Sequence, residues 1–342
     1  MNPIFSRKDF ELCYVPVPKG YPQSQTHVGI YNYDGKLYLT SSPFPNPKNS
    51  IFTTYLKALA RKLTRGYLYP IVRGESFENP CLYISEDNSS TRFRLLQSKP
   101  LMDSLDPYYG LPAFNSDPDI FIENGYIYVI NRSIYRTKLT PGMHRDEYEI
   151  RLYLIYGMID DDRFKYLGTK MISESTELSV SPCLTNYNGK YILMQLYTNC
   201  YNDGVSFDGL KYQTYDKIED VGTNVVRKTI QVNIDKYIPW HMSLFHYEGG
   251  LYAIISCVQK GIDHKCYQML GRFTTDLNRL TIFDKPLTDY NSYRGAAYIN
   301  SEGDFCLYST TVNEKIKYGY SIDGREVIYA HKRFQEILNK MQ

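Results

Sequence analysis

The chain has one tryptophan in 342 residues, no Cys-x-x-Cys pair among its seven cysteines, and almost no excess charge. Each scarcity excludes something. Without paired cysteine spacings there is no disulfide framework or zinc ribbon to read. Cys13, Cys81, Cys183, Cys200, Cys257, Cys266 and Cys306 lie mostly in apolar, strand-like runs, where a free thiol behaves as a small hydrophobe. Lys and Arg number 39 against 37 Asp and Glu, a formal charge of +2, so bulk charge gives no reason to expect a nucleic-acid partner. No stretch approaches the ~18 consecutive apolar residues of a membrane span. The segment from Met1 to Asp9 lacks the apolar core of a signal peptide. The expectation is therefore no membrane partner and a cytoplasmic or virion-associated location. The glycine-rich dinucleotide loop, the phosphate loop, the His-Glu-x-x-His motif and the Gly-x-Ser-x-Gly elbow are all missing. His144, His246, His264 and His331 are scattered without ligand spacing, so neither a metal nor a cofactor is expected.

What the chain has in quantity is tyrosine, 35 residues of it. Tyrosine suits half-buried strands, where the ring packs and the hydroxyl reaches water; the same rings can stack on sugars, and composition does not choose between the two. The sequence also writes one phrase five times: an apolar run, a turn carrying Gly, then an aromatic-rich run. The copies begin at His27, Asp117, Ser181, His241 and Arg294-Gly295, with turns at Asp34-Gly35, Gly125, Gly189, Gly250 and Gly303. Apolar runs flanking a short Gly turn are a β-hairpin signature. Each interval also holds a second hairpin: around Cys81–Leu96, Arg151–Asp162, Leu210–Tyr215, Tyr267–Asn278 and Tyr318–Arg325.

Two hairpins per repeat make a four-stranded blade, and a blade takes roughly 40–50 residues, which every interval accommodates. The reading is all-β: a single domain over residues 1–342, a five-bladed β-propeller with four-stranded antiparallel blades starting near 27, 117, 181, 241 and 295. A helical insertion is expected near 50–65, where Tyr55, Leu56, Leu59 and Leu63 share a face beside the basic Lys57, Arg61, Lys62 and Arg65. A short C-terminal helix is expected from about Ala330, with Phe334, Ile337 and Leu338 on one face.

The five-repeat plan and its openers resemble the five-bladed propellers of glycoside hydrolase family 43. That resemblance implies a glycosidase with three axial carboxylates: a base opening blade one, a pKa-setting Asp in blade two and an acid Glu opening blade three, often with a His in blade four and an Arg in blade five. Asp119, in Pro118-Asp119-Ile120, matches the second; His241, after Trp240, and Arg294 match the last two. His27 stands where the base belongs, and Ser181, in Val180-Ser181-Pro182, where the acid belongs. Inverting hydrolysis needs two carboxyls about 6.5–9.5 Å apart, so other groups must substitute. Asp117 beside Asp119, and Glu78 ahead of a third strand, are the candidate catalytic partners of Asp119. His27, Ser181, Trp240, His241 and Arg294 are candidate substrate-binding groups, with imidazole able to titrate near neutrality. Structural roles compete for each: strand-entry hydrogen bonds for the aspartates, a turn contact for Glu78, a core position for Trp240, an ion pair with Asp117 or Asp119 for Arg294. The expected partner is an oligo- or polysaccharide. The alternative is a non-catalytic carbohydrate-binding or structural propeller.

Overall fold

The computed structural model describes residues 3–341 except 22–23, 45–77, 106–112, 139–146, 161–162, 202–203, 224–225, 234–235, 260–265, 289–291 and 312–325. The expected helix near 50–65, and the hairpin expected at Tyr318–Arg325, lie outside the described residues.

Strands dominate. A two-residue strand β1 (Glu11–Leu12) is followed by β2 (Ser24–Tyr33), β3 (Lys36–Phe44), β4 (Cys81–Ser85) and β5 (Phe93–Leu95). Then come β6 (Ala113–Glu123), β7 (Tyr126–Lys138), β8 (Glu147–Asp160) and β9 (Arg163–Ser175), and after them β10 (Ser179–Tyr187), β11 (Lys190–Tyr201), β12 (Gly204–Tyr215) and β13 (Lys228–Val232). The remainder are β14 (Tyr237–Tyr247), β15 (Gly250–Gln259), β16 (Cys266–Phe273), β17 (Arg279–Pro286), β18 (Ser292–Ile299), β19 (Asp304–Thr311) and β20 (Val327–Arg333), closed by helix α1 (Phe334–Met341). Strands β2–β5 form one four-stranded sheet, β6–β9 a second, and β1-β20-β19-β18 a third. The fourth has eight strands in the order β10-β11-β12-β13-β17-β16-β15-β14, its two antiparallel halves joined by a short parallel pairing of β13 with β17.

The turns explain why the first strands pair as they do. Asp34-Gly35, Asn124-Gly125, Asn188-Gly189 and Glu248-Gly249 each place two consecutive residues at positive φ. That is the geometry of a type I′ turn, whose twist matches the strands it joins. Turn and register agree: Tyr33 pairs with Lys36, Glu123 with Tyr126, Tyr187 with Lys190, and Tyr247 with Gly250.

The leading strands β2, β6, β10, β14 and β18 contact one another in cyclic order, β18 returning to β2. Apolar clusters fill the spaces between successive sheet faces. Tyr38, Leu82 and Ile84 meet Ile120, Ile127 and Val129; Phe121, Ile130 and Leu152 meet Leu184, Leu193 and Tyr215; Met194 and Tyr212 meet Met242 and Ile255. Phe245 and Ile254 then meet Phe305 and Leu307, and Tyr308 and Ala296 return to Val28 and Leu39. The ring is tied shut by the N-terminal segment. Glu11 pairs with Tyr329 and Leu12 with Ile328, and Phe5, fully buried, packs near the rings of Phe10 and Phe305 in the cluster that also holds Phe334 and Ile337 of α1. Thus α1 exists to cover that cluster with its apolar face, as its spacing foretold.

Phe5→Ala removes a large side chain from this closure and should destabilise the fold by about 3–5 kcal/mol. Urea unfolding monitored by tyrosine fluorescence should show a lower midpoint at unchanged slope.

Candidate functional site

Every leading strand carries one extra residue at nearly the same level. The register slips between Thr26 and Gly29, Ser116 and Asp119, Val180 and Cys183, Pro239 and His241, and Ser292 and Gly295. These are β-bulges, which bend a strand and re-aim its side chains. His27, Asp117 and Ser181 occupy the bulges with φ of 56°, 53° and 48°, the left-handed region that non-glycine residues enter at a cost of order 1–3 kcal/mol. The five repeat openers therefore do not start their strands, which begin two to four residues earlier; they sit at bulges just inside them.

The bulges gather the predicted residues into one buried cluster. Asp117 is its centre. Its Oδ2 takes Arg132 Nη2 at 2.8 Å and the backbone N–H of Ser181 at 3.1 Å. Its Oδ1 faces two imidazoles, with His27 Nδ1 in close ion-pair contact and His241 Nδ1 at 3.4 Å. On the far side of its ring, His27 Nε2 lies 3.4 Å from Glu78 Oε2 and from Ser116 Oγ, and Ser116 donates to Glu78 at 3.1 Å. Ser181 Oγ shares a 2.9 Å hydrogen bond with His241 Nδ1. The two imidazoles meet edge to face at 5.3 Å, and Tyr293 lies against both, at 5.2 and 4.7 Å. Trp240 lies 5.4 Å from His241. Trp240 and Tyr293 are half-buried, which makes them the aromatic rim of a cluster that is otherwise nearly sealed.

Arg294 and Asp119 form a second, adjoining layer. Arg294 is wholly buried; it donates to the carbonyls of Pro118 at 3.0 Å and Met242 at 3.4 Å, and pairs with Asp119 at 3.6 Å. Its guanidinium is engaged in tying β6 to β14, so it clamps the ring from within. Of the two alternatives open for this residue, the ion pair with an aspartate is the one found.

Electrostatics separate the two aspartates. Burial pushes the Asp117 carboxyl up, but Arg132 and then the two imidazoles outweigh burial and hold it well below the usual carboxylate range. Burial pushes Asp119 up to about 6, opposed by Arg294 and by the backbone N–H groups of Leu184 and Ile120. Burial keeps His241 far below the ordinary imidazole value despite the pull of Asp117. Asp117 is thus a fixed anion and His241 a neutral ring.

Three participants were not singled out in the sequence: Arg132, Ser116 and Tyr293. Arg132 sits in β7 directly across from Ser116, and the only hint was a short polar stretch, Asn131-Arg132-Ser133, between apolar residues of a strand-like run. Tyr293 directly precedes Arg294 at the fifth bulge. The sequence also gave no reason to expect a metal. The structure brings together His27, Asp117 and His241, with one ligand atom from each within 4.8 Å of the others, as a set able to hold one. Residues so far apart in the chain leave no spacing to read. The six cysteines whose side chains are described are all buried.

No family model matches this sequence, and no curated protein does. Solved structures match over nearly the whole chain. An N-acetylgalactosamine deacetylase from F. plautii, in complex with blood group B trisaccharide, aligns with a TM-score of 0.63 at 15% identity, covering 97% of each chain. The β-xylosidase RS223 aligns at 0.59 and 12% identity over 95% of each. A family 43 β-xylosidase/α-arabinofuranosidase from a compost metagenome, in complex with xylotriose, aligns at 0.55 and 12% identity over 94% of this chain and 93% of its own. The fold is a divergent family-43-like β-propeller. Within this propeller the cluster occupies the end where the leading strands begin. A cavity of about 430 Å³ bordered by Tyr31, Glu123, Asn124 and His246 opens at their other end, beside the turns, roughly 20 Å away at 3.3 Å per residue.

Breaking the Asp117–Arg132 pair leaves a buried charge without compensation. Arg132→Met should cost about 3–5 kcal/mol, and Arg132→Lys, which restores a cation without the fork, should recover part of that. Thermal and urea unfolding of both variants measure the difference.

Proposed function

We propose that this chain is a glycan-active hydrolase, a five-bladed propeller if each half of the eight-stranded sheet counts as one blade, and that its chemistry takes place at the axial cluster. One observation carries the reading. Two imidazoles and two carboxylates, drawn from leading strands and from the segment before β4, converge at one end of the strand ring under an aromatic rim of Trp240 and Tyr293, with the Asp119–Arg294 pair adjoining them. Aromatic faces at the mouth of a polar, buried cluster suit a sugar, whose apolar ring face packs on them while its hydroxyls meet the charged groups.

The carboxylates divide by access. Asp117 has no exposed surface, whereas Glu78 and Asp119 keep 5% and 8%. Asp117 is then the orienting group, holding His27 and His241, and Glu78 and Asp119 are the carboxyls that face substrate. His27, between Asp117 and Glu78, orients Glu78 and can exchange a proton with it. His241 and Ser181 flank the bound sugar, and Arg294 supports Asp119 from behind. Ser181, which stands where a glycosidase of family 43 would place its acid, favours a second reading: a propeller that binds glycans without cleaving them.

A panel of blood group B trisaccharide, xylotriose, arabinan fragments and N-acetylgalactosaminyl oligosaccharides separates the two. Mass spectrometry distinguishes chain cleavage from loss of a substituent. Hydrolysis by the wild type that falls on the order of 10²-fold or more in Glu78→Gln and Asp119→Asn is the expected result. Saturable binding with no product in any of the three proteins would establish the binding module instead.

A further inference from the structure

We infer that His27, Asp117 and His241 form a binding site for a divalent first-row transition-metal ion of the zinc class; the inference rests on the reading that the axial cluster is the functional site. Nδ1 of His27 and Oδ1 of Asp117 are both buried without a hydrogen bond of acceptable geometry. Nδ1 of His241 faces the same carboxylate oxygen at 3.4 Å. A cation between them answers the two unsatisfied atoms and takes His241 Nδ1 as its third ligand.

Distances suit this. Zinc-class ions hold imidazole nitrogen at about 2.0–2.1 Å, so neighbouring ligand atoms in a tetrahedron lie roughly 3.3 Å apart. His241 Nδ1 and Asp117 Oδ1 are 3.4 Å apart, and all three ligand atoms fall within 4.8 Å of one another. The closer contact between His27 and Asp117 opens slightly to admit the ion.

The surroundings are those of a built site. Metal-bound histidines commonly give their other ring nitrogen to a carboxylate, and metal-bound carboxylates are themselves hydrogen-bonded. His27 turns Nδ1 to Asp117 and Nε2 to Glu78 at 3.4 Å. Asp117 offers Oδ1 to the imidazoles while Arg132 and the Ser181 N–H fix Oδ2. Ser181 Oγ, 2.9 Å from His241 Nδ1, either moves aside or becomes a further oxygen ligand. Two imidazoles and one carboxylate select zinc, cobalt or nickel over calcium or magnesium, which prefer oxygen alone. Three protein ligands leave a coordination position open for water, the pattern of catalytic rather than structural metal sites. A water held there would give up its proton more readily, which is the work of the base carboxylate whose place His27 takes.

The test uses the full chain, stripped with EDTA and titrated with Co²⁺, Zn²⁺ and Ca²⁺ in the absence of sugar. The expected result is one equivalent of Co²⁺ giving visible d–d absorption, displaced by Zn²⁺ and unaffected by a large excess of Ca²⁺. Glu78→Gln should weaken Co²⁺ affinity 10–100-fold, and His241→Ala should abolish the absorption. Because ligand variants can fail to fold, the wild-type titration decides by itself. A stripped chain that takes up neither Co²⁺ nor Zn²⁺ stoichiometrically overturns the site, whatever its action on glycans. Stoichiometric uptake with no turnover on any glycan supports the site and overturns only the hydrolytic reading.

Discussion

The buried carboxylate of Asp117 is the constraint around which the rest of the axial end is arranged. A carboxylate with no exposed surface is expensive unless charge and hydrogen bonds surround it. Arg132, the Ser181 N–H and the two imidazoles provide those partners, and they come from three different sheets. Once Asp117 is fixed, the orientation of His27 and His241 follows, and Glu78 and Ser116 complete the far side of His27. The ion cluster is therefore both a tie between sheets and the means of aiming two reactive rings at one point.

The bulges are how the backbone meets this demand. A regular strand would alternate its side chains between the two faces of its sheet, away from the axis. One extra residue in each leading strand breaks the alternation at a common level and turns a side chain inward. His and Asp tolerate the left-handed conformation better than most residues, which helps explain their presence at two of the three positions where φ is positive. Around the cluster the strands carry paired amides and hydroxyls: Gln25 with Ser41, Asn115 with Ser133, Gln195 with Ser179, and Gln268 with Ser256 and Ser292. These buried polar groups hydrogen-bond to one another around the axial cluster. Gly29 belongs to the same crowded level, since a Cβ there would stand 2.6 Å from Thr40 Oγ1.

Much of this was legible because hairpins are local. The Gly turns, the apolar runs beside them and the amphipathic tail at Phe334, Ile337 and Leu338 are short-range signals, and the first hairpins fall where they indicate; the helix expected from about Ala330 begins only at Phe334, because Val327–Arg333 pairs with β19 as strand β20, and Leu210–Tyr215 is the end of one strand, β12, rather than a hairpin. The residues His27, Asp117, Ser181 and His241 were visible because each stands at the same offset before its turn, so repetition pointed to them without any knowledge of the fold. What could not be read was their company. Arg132 lies mid-strand with no motif about it, Tyr293 is one of many tyrosines, and the convergence of His27, Asp117 and His241 depends on ring closure by contacts as distant as Phe5 with Phe305. Nor does a sequence show that Arg294 is buried against the carbonyls of Pro118 and Met242.

The most direct test of the axial cluster as the functional site is a crystal structure of the protein soaked with xylotriose and with blood group B trisaccharide. The account predicts sugar density against Trp240 and Tyr293, with a hydrolysable bond within reach of His27, Glu78 and His241. Sugar seated instead in the cavity beside Tyr31, Glu123 and His246, with the axial end vacant, would contradict it.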